Sequence, residues 1–185
     1  MSIEKTPEEL VAGFVSLLSV TREGDDAFSG LKQPNGVGRV FGGQVIAQAL
    51  QAAQATAPEG LEAHSLHAYF LRGGKEGLDI SYDTARDFDG RSFANRRVVA
   101  SQQEKGEDKR PILNLTASFQ RTEDGLSHDD VTMPEVEPPE DLRGDMEMRR
   151  QMVERMGERM SEQQRNLVLR PRPIEMRTVD RLHWM

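Results

Sequence analysis

The sequence predicts an α+β domain in which an antiparallel sheet curls around one central helix. The first observation is a stretch from Phe41 or Gly42 to Ala57 that is rich in alanine, nearly free of charge and periodic like a helix. The second is a series of four runs of alternating apolar and polar residues between residues 64 and 120. The third is a set of short polar turns between the runs, among them Asp89-Gly90, which favour antiparallel neighbours.

Two segments precede the central helix. Thr6 and Pro7, followed by two glutamates, predict a helix start, because they supply a cap, a proline at the first position and acid in the first turn. Residues 24–40, which include Pro34-Asn35-Gly36, predict a short strand and a loop. The first helix has one apolar stripe, so it should pack on another element; the stripe comprises Leu10, Val11, Phe14, Leu17 and Leu18.

The four alternating runs predict a meander in which each strand pairs with the next along the chain. They comprise residues 64–71, 78–84, 92–100 and 113–120. Arg96 and Arg97 are consecutive in the third run and point to opposite faces, so at least one should reach solvent or an ion-pair partner. Asp87 and Asp89 are interpreted as strand-edge and turn residues.

Composition changes after Arg121 and divides the chain into three parts. Residues 1–121 form the predicted α+β domain, and residues 122–145 are an acidic, proline-containing linker. Residues 146–185 contain an amphipathic helix and then a strand-like segment that begins an incomplete second domain. The apolar face of that helix is interpreted as packing surface; it comprises Met148, Met152, Val153, Met156 and Met160.

Charge and composition exclude several functions. The net charge of −7 argues against a general binder of nucleic acid or anionic membrane, since both partners are themselves anionic. The absence of cysteine excludes disulfides, a thiolate nucleophile and a cysteine metal site. No run approaches the ~18 apolar residues that span a bilayer, and the amino terminus lacks the features of a signal peptide, so a cytoplasmic location is expected.

Four blocks of sequence, in the same order, resemble the type II acyl-CoA thioesterases. They are residues 39–45 (RVFGGQV) with 47–50 (AQAL), 64–72 (HSLHAYFLR), 89–93 (DGRSF) with 96–98 (RRV), and 117–120 (ASFQ). Residues 172–177 (RPIEMR) resemble the family segment that opens a second domain. One departure is Gly73-Gly74-Lys75, where the family has proline followed by Gly-Asp-Pro, and this predicts a more mobile loop.

The resemblance implies a hotdog fold, and the chain would be the amino-terminal half of a double-hotdog protein. It also implies hydrolysis of fatty acyl-CoA to free fatty acid and CoA, without a metal or organic cofactor. The family's catalytic aspartate, hydroxyl residue and glutamine lie in the second domain, which would place them beyond Met185. No catalytic residue is therefore assigned within this chain.

Thioester hydrolysis needs a base or nucleophile, and donors that hold the developing oxyanion. The central helix offers no carboxylate, and its glutamines cannot accept a proton at neutral pH. Gly42 and Gly43 would leave free amides at the helix start for a thioester oxygen or a phosphate, with Gln44 beside them. The alternative is that glycine is needed there for close packing of the helix on the sheet.

The remaining candidate substrate-binding residues are His64, Arg91, Ser92 and Phe93. An arginine suits CoA phosphates, and Phe93 suits the pantetheine arm or the acyl chain. The structural alternatives are a hydrogen-bonded histidine at the sheet, a solvent-facing arginine and a core phenylalanine. His64 and His67 should lie on opposite faces of their strand, so they cannot share a metal ion, and no metal site is predicted.

Two functions remain open, since the central helix lacks a carboxylate. The chain is predicted to be part of an acyl-CoA thioesterase, and the alternative is a module that binds acyl-CoA without hydrolysing it. Either way the partner is acyl-CoA, and an uncovered sheet face predicts a homodimer or higher homo-oligomer.

Overall fold

A computed structural model describes residues 5–33 and 38–179 of the chain. Their contacts define two compact units, one within Phe14–Gly125 and the other formed by the described residues up to Gly13 and from Leu126. Within the described parts of the chain, no helix is both long and apolar enough to cross a membrane. The Pro34-Asn35-Gly36 part of the predicted strand and loop, and the last six residues of the predicted segment 146–185, lie outside the described residues.

The first helix, α1, spans Pro7–Leu18 and starts where the sequence predicts. Thr6 Oγ1 accepts a hydrogen bond from the Glu9 amide (3.3 Å), and Glu9 Oε2 accepts one from the Thr6 amide (2.9 Å), which is a capping box. The helix buries none of its residues, so its apolar stripe remains partly or fully exposed.

Among the described residues, the sheet has six strands, all antiparallel, in the order β1-β2-β4-β5-β6-β3. The central helix α2, Gly42–Gln54, packs on one face of it. The predicted α+β class with a sheet around a central helix is therefore confirmed. The strands are β1 Val20–Arg22, β2 Ala27–Gly30, β3 Leu61–Phe70, β4 Ile80–Asp89, β5 Phe93–Gln102 and β6 Arg110–Arg121.

The predicted pairing of the four main strands is wrong in one place. Strands β4, β5 and β6 form the expected meander, but β3 crosses over and pairs with β6 at the edge of the sheet. The connection from Phe70 to Ile80 spans residues 71–79, which is longer than the hairpin turns that hold neighbouring strands together. Strand β2 takes the position beside β4 instead.

The core lies between α2 and the inward face of the strands. Ala49, Ala52 and Ala53 are fully buried, and their small side chains let the helix approach the sheet closely. Alternate strand residues meet them, which explains the period of two in the sequence. The largest apolar contributors are Ile80, Tyr82, Val98, Leu113, Leu115 and Phe119.

Two polar side chains of this core are fully buried and satisfied by hydrogen bonds. Tyr82 donates its hydroxyl to Gln48 Oε1 (2.6 Å), and Gln48 Nε2 donates to the carbonyl of Leu17 (2.6 Å). Gly30 leaves room for this pair, because a Cβ at Gly30 would lie 2.8 Å from Tyr82 Cε2 and closer still to Gln48. The polar pair thus fixes how α2 sits on β2 and β4.

Arg96 and Arg97 lie on opposite faces, as predicted, and each has an acidic partner. Arg97 is exposed and pairs with Asp87 at 3.2 Å. Arg96 is fully buried and pairs with Asp89 at 2.5 Å. Both aspartates are therefore ion-pair partners as well as strand-edge and turn residues.

The second unit contains helices α3, Asp145–Met156, and α4, Glu162–Val168. The buried residues of α3 are Asp145 and Arg149, which pair at 3.0 Å, whereas the predicted methionine face is only partly buried. Of the strand-like segment expected after residue 173, the described residues up to 179 form only an isolated bridge, between Gly144 and Arg177. Its assignment to a second hotdog domain stays a prediction.

Candidate functional site

A cleft of about 470 Å³ opens at the amino-terminal end of α2. The start of the helix forms one wall, the end of β3 and the loop after it form another, and β6 closes the floor. Six lining side chains are aliphatic or aromatic, three residues are glycines and two are arginines. The lining comprises Arg39, Val40, Gly42, Val45, Phe70, Leu71, Arg72, Gly73, Gly74, Ile112 and Leu113.

The helix start in this cleft has no side-chain cap. Phe41 occupies the cap position with extended backbone, and its side chain accepts no hydrogen bond. The amides of Gly42 and Gly43 have no acceptor among the described residues, so they remain available to a ligand oxygen. Gly42 is also closely packed, since a Cβ there would lie 2.7 Å from Phe70 Cζ. The functional and the packing interpretations of this glycine are therefore compatible.

Hydrogen bonds anchor the loop after β3, and its predicted mobility stays a prediction. Val40 donates its amide to the carbonyl of Gly74 (2.9 Å). Gln102 accepts from the Lys75 amide and donates to the Lys75 carbonyl, both at 2.8 Å. A Cβ at Gly74 would lie 2.6 Å from Val40 Cγ1, so the second glycine permits close packing of the loop.

Gln44 is adjacent to the cleft in sequence but points into the protein. Its side chain is buried, and Nε2 donates to the carbonyl of Leu31 (3.0 Å). It does not line the cleft. Its Oε1 is buried without a hydrogen-bond donor among the described residues. In this conformation Gln44 supports the helix start rather than presenting an amide to a ligand.

The other candidate residues lie at the far end of the sheet. Phe93 pairs with Gln120, whereas Phe70 at the cleft pairs with Leu113. Seven residues of β6 separate these positions, which corresponds to roughly 23 Å at the usual rise of a strand. Arg91, Ser92 and His64 lie at the Phe93 end, so the predicted residues form two separate groups.

His64 does not lie on the face that strict alternation predicts. A bulge between Ala63 and Ser65 shifts the register, and His64 Nε2 lies 2.9 Å from Ser118 Oγ. Ser118 shares its face with Thr116, which pairs with His67, so both histidines lie on the same side of the sheet. The opposite-face prediction is wrong, because an inserted residue reverses the alternation.

The chemistry that the cleft can perform follows from its lining. Apolar walls, free amides and two cationic side chains suit an anionic amphipathic ligand, and the amides suit a developing oxyanion. None of the lining residues is an acid, a histidine or a hydroxyl residue, so they supply no general base. Sequence reasoning missed Arg39 and Arg72, although both stand at the edges of the motif blocks.

Comparison with known proteins decides the family. Residues 31–120 match the family model of the acyl-CoA thioesterase N-terminal domain. This region belongs to that family. Acyl-CoA thioesterase 2 of Haemophilus influenzae is 38% identical over 170 residues, covering 92% of this chain and 56% of the relative. The chain therefore spans little more than half the length of this relative.

Solved structures agree with the fold. The tesB protein of Mycobacterium avium subs paratuberculosis superposes with a TM-score of 0.61 at 31% identity, covering 71% of this chain and 50% of that one. A conserved protein of unknown function with a hot dog fold from Alicyclobacillus acidocaldarius gives a TM-score of 0.59 at 25% identity, covering 71% and 48%. The predicted hotdog fold of this acyl-CoA thioesterase domain is confirmed.

Proposed function

We propose that this chain is the amino-terminal hotdog domain of an enzyme that hydrolyses fatty acyl-CoA to free fatty acid and CoA. The observation that supports this most directly is the cleft at the uncapped start of α2, in a domain of the acyl-CoA thioesterase family. The apolar lining suits the acyl chain or pantetheine arm, and the Gly42 and Gly43 amides suit the thioester oxygen.

In this reaction a water oxygen adds to the thioester carbonyl carbon and the carbon–sulfur bond breaks. The sulfur of CoA leaves and takes a proton, and the acyl group departs as the carboxylic acid. The amides at the start of α2 would stabilise the negative charge that develops on the carbonyl oxygen. The described cleft lacks a base, so we expect the base to come from a second hotdog domain, as the family resemblance implies.

The free edge of β3 supports a homodimer. Strand β3 pairs with β6 on one side and has no strand partner on its other side among the described residues. Leu66, Tyr69 and Phe70 along it are exposed, with Tyr69 at 62%. Edge strands with apolar side chains associate unless something covers them, so we expect a second copy of this chain to do so. Replacing Leu66 with lysine should give a monomer by light scattering, and a wild-type monomer at high micromolar concentration would contradict the proposal.

The function is tested on the purified 185-residue chain by calorimetry and by release of thiol from a series of acyl-CoA esters. The protein contains no cysteine, so it adds no thiol background. We expect the chain to bind acyl-CoA with micromolar affinity and to release thiol slowly, because the cleft binds the ligand but lacks a base. Absence of binding would contradict the proposed function. Fast turnover would contradict the expectation that a second domain supplies the base. Binding with no turnover in any longer form of the protein would favour the non-catalytic alternative.

A further inference from the structure

The mouth of the cleft has a cationic rim, formed by Arg39 and Arg72. The Arg39 side chain runs across Gly73, since a Cβ at Gly73 would lie 3.3 Å from Arg39 Nε and 3.4 Å from its Cδ. The Arg39 backbone is held by a bridge to Lys75. The Arg72 guanidinium donates one hydrogen bond, from Nη1 to the Pro111 carbonyl at 2.9 Å, and its remaining donors are available.

Neither rim arginine has an acidic partner among the described residues, although the chain is acidic overall. The acids close to the loop are already engaged. Glu104 pairs with Lys75 at 2.7 Å, and Glu76 accepts the Gly38 amide at 3.0 Å. Two unpaired guanidinium groups beside the positive end of α2 give this mouth a local positive potential in a negatively charged protein.

We propose that the rim of Arg39 and Arg72 binds the phosphate groups of the CoA moiety, while the floor of the cleft takes the uncharged part of the ligand. This inference rests on the proposed function, which supplies the ligand. The floor is apolar and deeply buried at Val45, Ile112 and Leu113, whereas both arginines are exposed. A ligand that lies on this floor therefore meets the guanidinium groups where it reaches solvent. Arginine offers planar, paired donors that match a phosphate.

The test compares two ligands, of which only one carries the 3′-phospho-ADP group that holds the phosphates of CoA. Calorimetry measures the affinity of the 185-residue chain for a non-hydrolysable acyl-CoA thioether and for the matching acyl-pantetheine thioether. Arg39→Gln should weaken CoA-ligand binding at least about tenfold, as expected when charge-assisted hydrogen bonds are lost, and leave pantetheine-ligand binding unchanged. Arg39→Lys should recover part of the loss. Arg97→Gln removes the same charge from a different surface and should change neither affinity.

Five outcomes decide the inference. Selective loss of the CoA ligand in Arg39→Gln supports it, provided that thermal melting shows a folded variant. Equal loss of both ligands, or equal wild-type affinity for both, overturns it. Competition by free fatty acid that disappears in Arg39→Gln, with no phosphate dependence, overturns it in favour of a carboxylate site. If the wild type binds neither ligand, the proposed function itself fails.

Discussion

Replacing Arg96 with methionine should strongly destabilise the amino-terminal unit. The Arg96 side chain is fully buried and makes five hydrogen bonds. Two reach Thr56, at Oγ1 and at the carbonyl oxygen, both at 2.9 Å, just beyond the end of α2. One reaches the Phe88 carbonyl at 3.0 Å, and one forms the ion pair with Asp89. Arg96 therefore ties the end of the central helix to the β4–β5 turn.

The magnitude follows from what the methionine leaves behind. Methionine fills a similar apolar volume, so the cavity contribution is small. Asp89 is 44% exposed and can be hydrated, so loss of the ion pair itself costs little. The Thr56 acceptors lie in a residue only 7% exposed, and each buried acceptor left unpaired costs about 1–3 kcal/mol. We expect the free energy of unfolding to fall by about 3 kcal/mol, a large share of the usual 5–15 kcal/mol.

Urea unfolding followed by circular dichroism measures this loss. The matched control is Arg97→Met, which removes an exposed arginine from the next position and should cost less than about 1 kcal/mol. Asp89→Asn should fall between the two variants. If Arg96→Met costs no more than Arg97→Met, the buried hydrogen bonds do not stabilise the junction and the reasoning is refuted.

Three further predictions concern the packing around α2 and in the loop after β3. Gly30→Ala should lower the free energy of unfolding, measured by urea titration, by about 1–3 kcal/mol, because its methyl group would overlap Gln48 and Tyr82. The control Gly125→Ala has open space around the new methyl group and should change this free energy little. Burial raises the pKa of Tyr82, so above the unfolded-state pKa near 10 only the unfolded state ionises. The free energy of unfolding should therefore fall by about 1.4 kcal/mol for each pH unit above that value. In urea titrations at pH 9–11, Tyr82→Phe should abolish this slope. Gly74→Ala should distort the loop that lines the cleft and weaken acyl-CoA binding measured by calorimetry; unchanged affinity would show that the loop position is unimportant.

The elements of the fold follow from the sequence because their periods are local. The stripe and the alanines of α2 predicted a buried helix, and alternation predicted the four main strands. Strand order depends instead on which partner each strand finds, and this information is not local. Strand β3 alternates like the others, yet residues 71–79 carry the chain away from it and β6 becomes its partner.

The candidate site was predictable in part, because the motif blocks, like the periods of the helices and strands, are local features of the sequence. The motif blocks located the glycines at the start of α2, which do line the cleft or adjoin it. The position of His64 was not predictable, since a single bulge residue reverses every face assignment that follows from alternation. Arg39 was missed because its importance depends on Gly73, a residue distant in sequence that leaves space for its side chain.

The two ends of α2 differ in a way that predicts a conflict between stability and binding. The carboxyl end is closed by Arg96, whereas the amino end has Phe41, 74% exposed, in place of a capping residue. Phe41→Ser should supply the missing cap and raise the free energy of unfolding by about 0.5–1 kcal/mol. The same serine would occupy the Gly43 amide, which is one of the two free amides that a ligand oxygen needs.

Phe41→Ala separates the cap from the loss of the aromatic ring, since it removes the ring and adds no acceptor. Acyl-CoA affinity should therefore fall further in Phe41→Ser than in Phe41→Ala, while stability changes in the opposite order. If serine stabilises the chain and binds acyl-CoA as well as alanine does, the start of α2 does not contact the ligand. The missing cap would then be only a small defect of the fold, and the cleft would bind through its walls and its rim.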